Sequence, residues 1–211
     1  MSTPQSETTA LDRQQQRRGR IMGATIMLVV LLPMVVAYGM FYTGIGIPTG
    51  TANKGILLDP PQAAQDLDLR ELDGQEWRPS GPKKWRWIIP GAAECSETCQ
   101  QNLYLTRQVH IRLAEKSGRV ERIYLLLDEQ IDVATQNFLA HEHPHLHVLK
   151  AEPARLREAM KAAGIADDVN FDDHYFLMDQ EGIVMMAYTP AHTGQQLLDD
   201  IKRMLKYSRE D

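Results

Sequence analysis

Lys84-Trp85-Arg86-Trp87-Ile88-Ile89-Pro90-Gly91-Ala92-Ala93-Glu94-Cys95-Ser96-Glu97-Thr98-Cys99 is the stretch on which the reading of this chain turns. Its first half favours extended backbone and, by the two-residue period of a strand, puts Trp85 and Trp87 on one side. A short loop follows, then the only two cysteines among 211 residues. Ser96 stands in the N-cap position of a helix predicted over residues 97–116, which stops before Gly118. Strand, loop and a cysteine pair at the mouth of a helix is the layout of a redox or soft-metal site. Backbone amides at a helix N-terminus favour a thiolate, and the thiolate is both nucleophile and metal ligand. Glu94 and Glu97 act the other way, because nearby negative charge raises a thiol's pKa. Cβ atoms four residues apart on a helix are about 5–6 Å from each other, whereas a disulfide needs about 3.8 Å. Closing the pair therefore requires the loop ahead of the helix to bend. A plain stabilising disulfide is the alternative to a redox or metal role.

Downstream, the pattern alternates. Residues 120–127 form a near-continuous apolar run, the mark of a strand covered on both faces. A helix is predicted around 131–140 and a short strand at 146–149. Another helix is opened by Glu152-Pro153 and stopped by Gly164. Residues 175–178 and 183–188 read as a hairpin turning at Asp179-Gln180-Glu181-Gly182. The last helix begins at Thr193, which with Gln196 makes a capping box. Upstream, Asp73-Gly74 marks a turn in a short hairpin over 67–77, and Trp77, Trp85 and Trp87 are expected to pack in the core. The order is that of an α/β domain, a thioredoxin-like fold with an added segment in its middle and a central mixed sheet flanked by helices.

Residues 21–42 carry no charge. At ~1.5 Å per residue such a run reaches roughly 33 Å, enough to cross a bilayer core. Arg13, Arg17, Arg18 and Arg20 precede it, which predicts an N-terminus held in the cytoplasm and a body on the far side. The run is too long for a signal-peptide core and lacks a good cleavage sequence. Four parts are thus predicted: a polar, disordered tail over 1–20, an anchor over 21–43, a linker over 44–66 (Gly/Thr-rich at first, then stiffened by Pro60 and Pro61), and a folded domain over 67–211. The chain carries −5 overall. Once the basic tail is set aside, the remainder is at about −7 with no basic stripe, which excludes nucleic acid as partner. There is no nucleophile elbow, zinc-protease helix or phosphate-binding glycine loop. The four histidines of His141-Glu142-His143-Pro144-His145-Leu146-His147 would line one side of an extended segment. Such a tract is either a metal binder or a solvated loop.

With the anchor, Gly55-Ile56-Leu57-Leu58-Asp59-Pro60-Pro61, Cys95-x-x-x-Cys99, Asn102-Leu103-Tyr104, Arg107-Gln108-Val109, His143-Pro144, Leu177-Met178-Asp179-x-x-Gly182 and Lys202-Arg203-Met204-Leu205-Lys206, the chain resembles the Sco/SenC-type membrane-anchored thioredoxin-like proteins. It looks closer still to the shorter thioredoxin-like membrane proteins found among bacterial oxidase-assembly genes. The resemblance spans 21–211, and its most specific element is the three-residue cysteine spacing, since thioredoxins use two. It implies a single-pass protein of the bacterial inner membrane whose C-terminal domain lies in the periplasm and assists cytochrome c oxidase biogenesis, in contact with oxidase subunits or assembly factors. It also implies copper as cofactor, held in the family by both cysteines and a later histidine. Cys95 and Cys99 carry over as the redox pair or as copper ligands. Counting back from Gly182 places the family's histidine near Phe171, and the histidine available is His174, at the place where thioredoxins carry a proline facing the active site. The rival expectation is a non-catalytic, membrane-tethered docking protein with a structural cysteine pair.

Overall fold

The computed structural model describes residues 5–44, 52–166 and 170–208. The chain divides into two compact units, Met1–Thr51 and Ala52–Asp211. The first is helix α1, Gln5–Thr43, with Pro33 inside it. Its segment Arg17–Thr43 contains an 18-residue window of mean hydropathy 2.4 and is long and apolar enough to cross a membrane. The tail expected to be disordered over 1–20 is helical from Gln5, and residues 1–4 lie outside the described residues. Its Gln, Arg, Leu and Ala residues are good helix formers, and a helix already nucleated propagates into them cheaply. Most of the Gly/Thr-rich tether falls on residues 45–51, also outside the described residues.

The second unit is built on one six-stranded sheet of order β1-β6-β5-β2-β3-β4. Its strands are β1 (Ile56–Ala63), β2 (Trp85–Gly91), β3 (Val120–Leu126), β4 (Leu146–Lys150), β5 (Tyr175–Met178) and β6 (Ile183–Tyr188). β2, β3 and β4 run parallel, while β5 is antiparallel to β2 and β6 to β5. The helices are α2 (Glu97–Arg112), α3 (Val133–Glu142), α4 (Pro153–Ala162) and α5 (Gly194–Tyr207). The predicted capping box of Thr193 and Gln196 is formed. Helix α2 ends four residues earlier than the pattern suggested, passing at Ala114 (φ 51°) into a 3-10 turn, Ala114–Arg119.

Strand alternation sorts the core into two layers. One face carries Trp85, Trp87, Ile89, Val120, Tyr124, Tyr175, Leu177, Met186 and Tyr188, packed with Leu103 and Val109 of α2, Leu139 of α3 and Leu198 and Ile201 of α5. Both cysteines belong to this layer. The opposite face carries Ile88, Ile123, Leu125, Phe176 and Met178 against Leu156 and Met160 of α4 and against Leu67 and Leu69.

The linker expected over 44–66 contains a strand. β1 adds to the sheet edge beside β6, with its register shifting between Leu57 and Gln62 and a cis peptide at Asp59-Pro60. Prolines cannot donate to a ladder, so they are tolerated on an edge strand. Their presence hid this strand, and the domain begins before residue 67. Buried Asp200 of α5 fixes the entry: it accepts from the Lys54 and Gly55 amides at 2.9 and 2.8 Å and from the Tyr188 hydroxyl at 3.0 Å. The hairpin expected over 67–77 reduces to a turn with a single bridge between Arg70 and Glu76. Leu67 and Leu69 instead turn inward to cover the sheet.

Candidate functional site

The cysteine loop is held from three sides. At the end of β2, a Cβ on Gly91 would stand 2.4 Å from the Tyr124 hydroxyl, so the backbone can pass there only without a side chain. That hydroxyl donates to the Ala92 carbonyl at 2.6 Å. The Ala93 amide donates to Asp128 at 2.6 Å, and the Asp132 amide returns a bond to the Ala93 carbonyl at 3.1 Å. The Cys95 amide donates to the Thr135 hydroxyl oxygen, and the Gln100 side-chain amide donates to the Cys95 carbonyl, each at 3.1 Å. Ser96 caps α2 as expected, its hydroxyl accepting from the Cys99 amide at 3.1 Å.

Thr135 is placed by the start of α3. Asp132 is the N-cap there and accepts from the Ala134 and Thr135 amides. The Thr135 hydroxyl and these two amides together hold the Asp132 carboxyl below the usual carboxylate range. Asp132 ahead of an apolar residue is a helix-start signal legible in the sequence. Nothing in the sequence, however, ties that first turn to Cys95. Gln100 and Thr135 are thus the supporting residues that sequence reasoning missed.

Cys95 and Cys99 form a disulfide, with an S–S distance of 2.05 Å and a Cα–Cα distance of 5.5 Å. The bend needed for closure lies ahead of α2, as Cys95 precedes the Ser96 cap. Cys99 is fully buried and Cys95 is 5% exposed. Cys95 also lines a surface cavity of about 390 Å³ with Glu94, Gln100, Asp132, Thr135 and Phe138. A larger cavity of about 830 Å³ continues from Gln100 and Phe138 along α2 past Tyr104 and Leu105.

His174 lies between the 3-10 turn Phe171–Asp173 and β5. Its ring stacks on Phe176 (centroids 6.5 Å apart, planes at 23°), and Phe176 belongs to the layer on the far side of the sheet. Its Nδ1 is buried without a partner, and burial pulls its pKa below the ordinary histidine value. Phe171, where the count from Gly182 put the family's histidine, is buried in that same far layer with Arg157 over its ring. Among the described residues, no three His, Cys, Asp or Glu side chains form a group able to hold a metal ion.

The histidine tract is not an extended ladder either. His141 is in α3 and His147 in β4. His143 is 3% exposed, with Nδ1 at 3.5 Å from Arg122, and burial pushes it down to about 4. His147 sits 3.0 Å from Glu71 and 3.8 Å from Glu121, which raise its pKa. His110 is a packing residue, its Nε2 held between the Ser117 and Val120 carbonyls.

Strand, pinned loop, cysteine pair and capped helix are now in place, and residues 85–208 match the model of the transmembrane-like, thioredoxin-like C-terminal domain family. The chain belongs to that family. Comparison with curated proteins found no match. In shape this transmembrane-like thioredoxin-like protein is similar to yeast Sco1 solved with copper bound. The two share 20% identity over 76% of this chain and 97% of that one, with a TM-score of 0.52. A second yeast Sco1 structure gives 19% identity, 77% and 100% coverage and a TM-score of 0.52. BsSco, described as a Sco-family cytochrome c oxidase assembly protein with a disulfide switch, gives 13%, 74%, 98% and 0.50. At these identities the likeness is one of fold.

Proposed function

We propose that this chain is a membrane-anchored thiol–disulfide exchange protein of the periplasm, serving cytochrome c oxidase biogenesis through Cys95 and Cys99. The observation that carries the reading is the disulfide at the mouth of α2, with Cys95 lining the surface and Cys99 sealed behind it. A client thiolate attacks the Cys95 sulfur, forming a mixed disulfide and expelling Cys99 as thiolate. Cys99 occupies the third position of α2, where the positive end of the helix dipole favours that leaving charge. A second client thiol loses its proton and attacks its own sulfur in the mixed disulfide, releasing Cys95 as thiolate. The client gains a disulfide, and the chain takes up two electrons and two protons. Run backwards, from the dithiol, the same steps reduce a client disulfide, with Cys95 as attacker and Cys99 resolving.

The anchor over 21–43, the linker after it and the folded domain are read with the N-terminus in the cytoplasm of a bacterial cell, on the arginines before the span. The link to oxidase assembly rests on the resemblance in motifs and on the likeness to BsSco.

Copper handling is the second reading, favoured by the likeness to copper-bound yeast Sco1. When reduced, the cysteines offer two soft sulfurs suited to Cu(I). The third donor implied by the resemblance is His174, and among the described residues no three such side chains form a group able to hold a metal ion. A copper titration of the full chain in non-ionic detergent, beside thiol alkylation in both redox states, separates the readings. Exchange predicts a reducible disulfide, a mixed disulfide trapped by Cys99→Ser, and no stoichiometric copper. Stoichiometric copper lost on Cys95→Ser would establish the second reading. If neither cysteine variant impairs oxidase assembly but loss of the anchor does, the chain is a docking protein.

A further inference from the structure

At the end of α2 remote from the cysteines, a cavity of about 220 Å³ is lined by Lys84, His110, Ser117, Glu121, Arg122 and His145. Arg122 is its unusual member. The alternation of β3 sends it inward between Val120 and Tyr124, and it is 4% exposed. Its guanidinium has five N–H donors. Its Nη1 donates to the Leu103 carbonyl at 3.2 Å and lies 3.5 Å from His143 Nδ1, with no carboxylate in ion-pair range among the described residues. Buried charges in proteins are ordinarily paired, because an uncompensated one is costly to desolvate.

The surroundings do not supply the missing charge. Lys84, His110 and His145 carry or can acquire the same sign as Arg122. Glu121 is the one acid on the cavity wall, and it is committed elsewhere, 3.1 Å from Arg86 and 3.8 Å from His147. His110 spends its Nε2 on two backbone carbonyls. The mutual repulsion is visible in its pKa, lowered by burial and further by Arg122 and His145. Burial likewise pushes Arg122 down to about 10.

We propose that this cavity binds a phosphate oxyanion, with buried Arg122 in its wall and Lys84 and His145 beside it. A dianion supplies the charge that Arg122 lacks and accepts from the guanidinium N–H groups that Leu103 and His143 do not engage, the recognition for which guanidinium is suited. The cavity is several times the ~30 Å³ share of one water molecule, so the anion fits with part of its hydration. Because the ligand binds only the folded chain, it also stabilises it.

The test uses the full chain in non-ionic detergent. Thermal unfolding in phosphate is compared with chloride at matched ionic strength, and inorganic phosphate and glycerol 3-phosphate are titrated calorimetrically. Saturable one-site binding is expected, together with a midpoint that rises with phosphate and not with chloride. Lys84→Gln, which alters the rim and leaves the core intact, should weaken binding about tenfold, the equivalent of one charge-assisted contact. Arg122→Gln should weaken it more, with retained far-UV dichroism as the check on folding. Binding of the ester as tightly as the free ion assigns the site to phosphomonoesters, and rejection of the ester assigns it to the free ion. The proposal is overturned if phosphate acts no differently from chloride, or if binding persists unchanged in both variants.

Discussion

Reduction of the Cys95–Cys99 bond separates a working cysteine pair from a structural staple. The bond closes a very short loop, with a sequence separation of 4. In the chain-entropy account, a loop of that length restrains the unfolded chain by about 2 kcal/mol, against about 4.7 kcal/mol for a 100-residue loop. The native side adds little. The loop is held independently through Thr135, Gln100, Ser96 and Tyr124, and buried thiols behave as small hydrophobes. The reduced domain should therefore stay folded, destabilised by about 2 kcal/mol, which for a domain of this size is a fall in Tm of roughly 4–8 °C. Urea unfolding of the full chain in non-ionic detergent, with and without a phosphine reductant, reads this directly. Far-UV dichroism and tryptophan fluorescence are the probes, and the Cys95→Ala, Cys99→Ala double variant serves as the permanently open form. Unfolding on reduction, or a loss above about 5 kcal/mol, the upper end of measured disulfide effects, would refute the reasoning. The pair would then be a staple and the docking reading would stand.

Other perturbations test the supports around the pair. Asp200→Ala strands the Lys54 and Gly55 amides and the Tyr188 hydroxyl; at about 1 kcal/mol or more per stranded donor, stability should fall by about 3 kcal/mol in denaturant melts. Gly91→Ala drives a methyl into Tyr124 and should both destabilise the domain and accelerate reduction of the disulfide by dithiothreitol, since the bond holding Ala92 is lost. Thr135→Val keeps the shape but leaves the Cys95 amide unpaired, costing about 1–3 kcal/mol by the same melts. His143 titrates at about 4 in the folded chain and at about 6.5 unfolded. The unfolded chain thus binds the extra proton in that window, and stability present above pH 6.5 is lost as pH falls towards 4. His143→Gln should flatten that part of the pH profile, measured as urea midpoints.

Much of this architecture was legible because periodicity and caps agreed locally: the Trp85/Trp87 face, the doubly covered run of β3, and the Ser96 and Thr193 caps all stand as read. What escaped depended on partners distant in sequence. β1 looked like a linker because Pro60 and Pro61 deny it strand character, yet its pairing with β6 is supplied from residues 183–187. Arg122 lay within a run read as apolar, and only the fold sets its side chain under α2. The histidine tract has a period that would align its rings on a strand, but α3 continues through Glu142 and breaks that alignment. Within the site, the cysteines were visible as a pair. Their hydrogen-bonded supports, Thr135 and Gln100, belong to helices whose side-chain pattern says nothing of the loop they hold.

Strand parity decides which residues of the β5 hairpin share the layer of the disulfide. Side chains of β5 alternate, so Tyr175 and Leu177 enter the layer that contains the disulfide while Phe176 and Met178 enter the other. His174 precedes the strand and stacks on Phe176, so the turn before β5, and not the ladder, sets its side chain. Copper coordination by a sulfur pair and an imidazole needs three donors converging from separate elements. Thiol exchange needs one accessible sulfur and a second within bonding reach behind it. The loop and the start of α2 supply the bonded sulfur pair, and among the described residues no three His, Cys, Asp or Glu side chains form the group that the former needs.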